Sequence, residues 1–258
     1  MNAAPILSLS GIGFAYAPDR PPALRDVSLD VPAGARVAIL GPNGGGKTTL
    51  LHVLLGLLPP AVGTLLVDGK PPAAYSRRGL SRLIGLVPQN EHIPFDFTLL
   101  DYVLLGRAPY LGPLELPGAA DLDVAREALD AVGLRSQRHR PVTALSGGER
   151  QLGMIARALA QAPRILLLDE PTSHLDLANR QAVQRVLDKL ARQGVTVVFS
   201  THDPHLAAGM ADRAVLLRAG RLLADGPLAD VFTPERLSAA YGIAVQVVSC
   251  GHRRLVVP

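Results

Sequence analysis

Gly41-Pro42-Asn43-Gly44-Gly45-Gly46-Lys47-Thr48-Thr49, residues 41–49, separates a short apolar run, ARVAIL (35–40), from a leucine-rich one, KTTLLHVLLGLL (47–58). Its spacing is Gly, four residues, then Gly-Lys-Thr. Glycines let the main chain approach a ligand without a Cβ in the way, and several backbone N–H groups can then meet the same phosphate oxygens. Entry from a strand and exit into a helix is the context this pattern needs, and an ordinary glycine-rich turn does not need it. Lys47 would reach the β- and γ-phosphates of a nucleotide, and Thr48 would ligate Mg²⁺.

Upstream of this loop, ILSLSGIGFAY (6–16) and LRDVSLDV (24–31) read as strands. Downstream, TLLVDGK (64–70) and RLIGLVPQ (82–89) return to strand character. From about residue 98 to 160 the pattern is helical, in TLLDYVLLGR, DLDVAREALDAVGL and GERQLGMIARALAQA, with Leu122, Ala125, Leu129 and Val132 on one face. The Pro/Gly-rich APYLGPLELPGAA (108–120) reads as a loop between the first two. RILLLDE (164–170), the helix after Asp176 that Gly194 closes, and VTVVFSTHD (195–203) resume the alternation. The expected fold is α/β: a parallel sheet with crossover helices, into which a helical segment is inserted.

Composition narrows the function. Of 258 residues, 48% are hydrophobic and 19% charged, as in a globular chain. The net charge of +4 suits a phosphate ligand, a nucleic acid or an anionic membrane surface alike. With no Trp and ten Tyr plus Phe, stacking along single-stranded nucleic acid is not the leading idea. One cysteine, Cys250, excludes an internal disulfide and a cysteine-rich zinc site. The most apolar stretch, 50–67, is broken by His52, Pro59-Pro60 and Gly63, whereas a membrane helix needs about 20 apolar residues in a row. The start carries no signal-peptide pattern, and a cytoplasmic protein is expected.

Asp169 and Glu170 end the apolar run 165–168. A carboxylate at a buried strand end beside a phosphate loop suits magnesium, and the adjacent Glu170 would polarise the attacking water as general base. His202 just past the next strand could offer Nε2 to the γ-phosphate, although a lone histidine at a strand end is more often structural, so this role borrows from its neighbours. Gln89 is a strand-end amide able to touch both metal and water, and Tyr16 an aromatic able to stack on adenine. LSGGERQ (145–151) contains Ser146 and Glu149 in the spacing of a capping box. Gly147 and Gly148 add free N–H donors at a helix start, which makes a second anion-shaped loop.

Leu145-Ser146-Gly147-Gly148-Glu149-Arg150-Gln151 resembles the signature of ATP-binding cassette proteins, a narrower marker than the phosphate loop. The family's other motifs occur in order: Tyr16 (A-loop), 41–49 (Walker A), Gln89 (Q-loop), 165–170 (Walker B), SHLD 173–176 with Asp176 (D-loop) and His202 (switch). Gly45, Thr48 and Leu152 depart slightly from its commonest residues, without removing a necessary group. The resemblance implies a P-loop NTPase fold, with a mostly parallel core, an antiparallel β subdomain and an inserted helical subdomain at roughly 93–160. The whole chain, 1–258, would be one nucleotide-binding domain with a tail at roughly 243–258. It also implies ATP and Mg²⁺, the latter held by Thr48, Gln89 and Asp169. In the family, two subunits meet head to tail, and Ser146, Gly147, Gly148 and Glu149 of one would cover the ATP bound by the other.

Within the family, FDFTLLDYVLLGRAPYLG and LSAAYGIAVQVV resemble subunits serving iron-siderophore, haem, cobalamin and related metal or oxyanion uptake. That implies a homodimer on the inner face of the membrane, with separate transmembrane permease subunits and, indirectly, an extracytoplasmic substrate-binding protein. The alternatives are a soluble cassette ATPase of DNA repair or translation, and an exporter subunit. One signature, no extended heptads and one cysteine speak against the soluble alternative.

Overall fold

The structure, a computed structural model, describes residues 4–91, 93, 96–173, 175–250 and 253–257; His174 of the SHLD stretch and the Cys250 side chain lie outside that description. The chain opens with β1 (Pro5–Phe14) and β2 (Leu24–Pro32), an antiparallel pair. β3 (Arg36–Leu40) runs into the glycine loop and α1 (Lys47–Leu54). β4 (Val62–Val67) then returns antiparallel to the free edge of β1. α2 (Arg77–Leu83) and β5 (Ile84–Val87) precede three helices, α3 (Leu99–Leu104), α4 (Ala119–Ala131) and α5 (Gly147–Ala160). β6 (Ile165–Leu168), α6 (Leu177–Arg192), β7 (Thr196–Thr201) and α7 (Pro204–Met210) follow. β8 (Arg213–Arg218) and β9 (Arg221–Pro227) form a hairpin, then come α8 (Leu228–Val231), α9 (Pro234–Tyr241) and the paired strands β10 (Gln246–Cys250) and β11 (Arg253–Val257).

The main sheet has the order β5-β6-β7-β3-β8-β9 and is parallel except at β9. Its central strands are buried on both faces, which is why 165–168 reads as an unbroken apolar run. Side chains alternate between two cores. Ala38, Leu40, Leu166, Leu168, Val197, Phe199, Ala214 and Leu216 face the core shared with α3–α6. Val37, Ile39, Ile165, Leu167, Val198, Val215 and Leu217 face the one shared with α1 and the β2-β1-β4 sheet. A one-residue slip of any central strand would exchange its two faces, so packing pins the register.

This topology positions the site. β3, β5, β6 and β7 point the same way, so the segments that leave their C-terminal ends emerge along one edge. Those segments are residues 41–49, Gln89, Asp169-Glu170 and His202.

Several expected elements shift. The helix expected over 47–58 stops at Leu54, because Gly56 adopts φ 74° and turns the chain back toward β4. The helix expected over 98–107 is α helical only to Leu104 and tightens into a 3₁₀ segment ending at Tyr110, within which Pro109 has no N–H to donate. The loop 108–120 is correspondingly shorter at both ends, since α4 begins at Ala119. α2 was hidden in the sequence: Arg77–Leu83 is largely exposed and carries Gly79, so no apolar stripe marks it, and Ser76 caps it by accepting the Gly79 N–H at 3.0 Å.

Candidate active site

The glycine loop and its neighbours enclose a cleft of about 870 Å³. It brings together Tyr16, Asn43, Gly44, Gly45, Gly46, Lys47, Thr48, Thr49, Gln89, Glu170 and His202. Gly41 and Pro42 contribute from beneath through their carbonyls, and Asp169 is buried behind Glu170 at the end of β6. The signature residues 145–151 and Asp176 do not line this cleft.

Gly46 is the residue before α1 and has φ 101°, a left-handed backbone that L side chains rarely adopt. A Cβ there would also stand 2.8 Å from the Ala23 carbonyl oxygen. The Lys47 ammonium, almost wholly buried, donates to the carbonyls of Gly41 at 2.9 Å and Pro42 at 3.1 Å and lies 3.7 Å from Glu170 Oε1. Burial pushes its pKa below the usual lysine value, while the charges of Glu170 and Asp169 push back. Tyr16 projects from the end of β1 with its ring edge-on to Phe14 and its hydroxyl 3.1 Å from Thr49 Oγ1, leaving the rest of the ring exposed.

Glu170 is held through its backbone as well as its side chain. It is a non-glycine residue at φ 45°, an uncommon conformation that is held only where the surroundings over-determine it. Its N–H donates to Ser200 Oγ at 2.9 Å, and its carbonyl accepts from the Ser173 hydroxyl at 3.0 Å. Its Oε2 lies 2.9 Å from His202 Nδ1, so Nε2 of that ring is the nitrogen left for a ligand. Ser200 donates in turn to Asp169 Oδ1 at 2.5 Å. Sequence reasoning missed Ser200: it is one of three hydroxyl residues in β7, all of them buried, and only the folded sheet sets it beside Asp169 and the Glu170 N–H. Ser173, the first residue of the SHLD stretch, also lines the cleft, as do Thr172 and Arg180, which carried no motif of their own.

Gln89 reaches the cleft from the end of β5. Two residues on, Glu91 accepts from the Tyr102 hydroxyl and from Arg157, each at 2.5 Å, which ties the segment after Gln89 to α3 and α5. α5 is the helix whose N-terminus carries the second glycine loop. There Ser146 Oγ accepts the Glu149 N–H at 3.2 Å, and Glu149 Oε2 accepts the Ser146 N–H at 2.8 Å, a complete capping box. That backbone bond holds the Glu149 carboxyl below the usual carboxylate range, helped by Arg140. Ser146 and Gly147 remain exposed, whereas Gly148 is buried: a Cβ there would stand 2.2 Å from Asn179 Nδ2. Asn179 lies in the first turn of α6, and its N–H is accepted by the capping carboxylate of Asp176 at 2.8 Å. Through Asn179, Asp176 and the signature of one chain are thus linked, and neither Asp176 nor residues 145–151 line that chain's own glycine-loop cleft.

Thr48, Gln89 and Asp169 supply a hydroxyl, an amide oxygen and a carboxylate, the hard oxygen donors that Mg²⁺ prefers. No group of three or more His, Cys, Asp or Glu able to hold a metal occurs among the described residues. The donor set fits an ion that takes its remaining ligands from phosphate and water. Among the described residues no helix is long and apolar enough to cross a membrane.

Residues 24–173 match the family model described as ABC transporter. The hemin import ATP-binding protein HmuV of Thermobifida fusca (strain YX) is 40% identical over 240 residues, covering 91% of this chain and 81% of its own. The manganese transport system ATP-binding protein MntB of Bacillus subtilis (strain 168) is 37% identical, covering 96% of this chain and 98% of its own. A solved chain of a metal-chelate type ABC transporter in an inward-facing conformation superimposes with a TM-score of 0.86 at 37% identity, covering 100% of this chain and 98% of its own.

Proposed function

From the premise that this chain belongs to the ABC transporter family and is an ATPase, we propose that it is the ATP-hydrolysing subunit of an importer whose permease is a separate polypeptide. The observation that carries the hydrolytic part is the row Lys47, Glu170, His202 across the floor of the cleft, braced from below by Ser200 and Asp169.

In this reading Lys47 exchanges its loop carbonyls for the β- and γ-phosphates, and Thr48, Gln89 and Asp169 hold magnesium. Bound there, the metal supplies charge neutralisation across the phosphoryl oxygens. Glu170 orients a water molecule and takes its proton as the water oxygen attacks the γ-phosphorus. The bond to the β-phosphate oxygen breaks, and ADP and phosphate leave. His202, its Nδ1 engaged by Glu170, offers Nε2 to the charge that builds on the γ-phosphoryl group. Tyr16 stacks on adenine.

The second glycine loop then serves a second copy of the chain. Ser146, Gly147, Gly148 and Glu149 of one subunit cover the nucleotide held by the other, with Asp176 beside them in a head-to-tail homodimer. Support comes from the exposure of Ser146 and Gly147 and from the absence of residues 145–151 from their own chain's cleft. We take 1–258 as a single nucleotide-binding domain, with a helical subdomain at roughly 93–160 and a tail at roughly 243–258.

The permease would dock on the groove beside Gln89. This depression of about 380 Å³ is walled by Leu55, Pro88, Leu105, Pro109 and Gln161. Leu105 is 46% exposed there and, with Leu55, Pro88 and Pro109, gives the groove an apolar wall. The subunit would sit on the cytoplasmic face of the membrane and receive cargo from an extracytoplasmic binding protein by way of the permease. The cargo would be a metal or metal chelate, whether iron-siderophore, haem, cobalamin or a related metal or oxyanion species; the relatives' names, hemin import and manganese transport, support that class. No nucleic acid enters this scheme.

Purification of the affinity-tagged chain from membranes tests the reading. A many-span membrane protein should co-purify, and the pair in vesicles should take up a metal chelate only with ATP. Recovery with ribosomes or DNA and no membrane partner would favour a soluble cassette ATPase instead.

A further inference from the structure

The segment that follows β9 reaches back into the cleft at one atom. The Tyr241 hydroxyl, at the last residue of α9, donates to the backbone carbonyl of His202 at 3.0 Å. We propose that Tyr241 is a positioning residue for His202, and that through it the C-terminal segment sets the geometry of the hydrolytic row. This rests on the role given to His202 above.

Three observations make the contact more than incidental. First, Tyr241 stands on a fixed base. Leu237 and Ala240 of α9 are fully buried in the same core as Leu216 of β8, and Arg218 of that strand donates to the Ala239 carbonyl. Gly242, at φ 74°, ends the helix directly after the tyrosine, and the Val245 N–H returns to Ser238 Oγ at 3.0 Å.

Second, the acceptor belongs to the His202–Asp203 peptide, whose N–H donates to Thr201 Oγ1 at 3.1 Å, and the Tyr241 bond tethers the other side of that peptide. His202 follows the last residue of β7, and Asp203 begins the cap of α7 by accepting the His205 N–H at 2.8 Å. α7 is itself held at its far end by Gln184 Nε2, which donates to the Gly209 carbonyl at 2.8 Å, and β11 packs along it. The Tyr241 bond therefore joins the Thr201 bond in fixing the proximal end of a helix whose distal end is already anchored, and it is the one that comes from the C-terminal segment. Rotation of the His202 peptide would carry its imidazole away from Glu170.

Third, the hydroxyl stays a donor. Burial, together with the negative charge of Asp203, pushes the phenol above its ordinary value, so it keeps its proton at neutral pH.

The test uses the full-length protein and Tyr241→Phe, which keeps the ring and removes the donor. We expect kcat to fall about three- to tenfold, the worth of one ordinary hydrogen bond, with KM for ATP and the melting temperature close to wild type. On a His202→Ala background the same change should cost nothing further, because both substitutions act through one group. An unchanged kcat would overturn the inference. So would an equal loss on the His202→Ala background, or a joint change of kcat and KM with a lower melting temperature, which marks a structural role only. Retained wild-type hydrolysis in His202→Ala alone would instead sink the underlying assignment of His202, and a fall in the kcat of Tyr241→Phe in that case would contradict the route through His202.

Discussion

Glu170→Gln should bind ATP as the wild type does and hydrolyse it about a thousandfold more slowly, the scale on which a positioned general base contributes. The argument is one of shape against chemistry. Glutamine keeps the length and the branching of glutamate, so the strained φ of 45°, the backbone bond to Ser200 and the carbonyl that accepts from Ser173 are all preserved. What is lost is a group that can take a proton from water. The amide can still meet His202 Nδ1, so the geometry of the switch survives. Binding survives because Lys47, Thr48 and the loop amides are untouched. With closure intact and turnover blocked, ATP-bound dimers should accumulate and appear as a stable doubled species in size-exclusion chromatography. Wild-type steady-state hydrolysis in this variant would remove Glu170 from the role of base.

Ser146→Ala separates the two uses of the second glycine loop. Its hydroxyl caps α5, and loss of a serine cap costs about 1 kcal/mol of stability. Gly147 and the Glu149 side chain keep the rest of the helix start intact, so the protein should remain folded with a modestly lower melting temperature. If the hydroxyl also meets a γ-phosphate in trans, hydrolysis should fall about a hundredfold, as when one preorganised donor to developing charge is removed. A stability loss of that size with undiminished hydrolysis would leave Ser146 as a cap and nothing more.

The loop 41–49, its strand and its helix could be read directly because their pattern is local: glycines, a lysine and the apolar runs on either side. The capping box at 146–149 was legible for the same reason. Strand order was not. Nothing in the chain says that β3 lies between β7 and β8, yet that order is what sets Glu170 and His202 beside Lys47. Ser200 was hidden because its partners, Asp169 and the Glu170 N–H, are about thirty residues away and meet it only after the parallel strands pair. Tyr241 escaped for a further reason: it acts on a backbone carbonyl, which leaves no mark on the side-chain pattern. Gly148 looked like a phosphate-loop glycine, but the structure adds a packing reason, since Asn179 fills the space a Cβ would take.

The central claim is that every hydrolytic site is shared between two copies of this chain, and mixing two inactive variants measures it most directly. Lys47→Ala removes the phosphate ligand of one half-site, and Ser146→Arg blocks the exposed covering loop of the other. A heterodimer of the two would contain one doubly defective site and one wholly wild-type site. Mixed in equal amounts and allowed to exchange, the two variants should recover about a quarter of wild-type sites, and hydrolysis should reappear in proportion. If the mixture stays as inactive as its components, both elements act within one chain and the shared-site account is wrong.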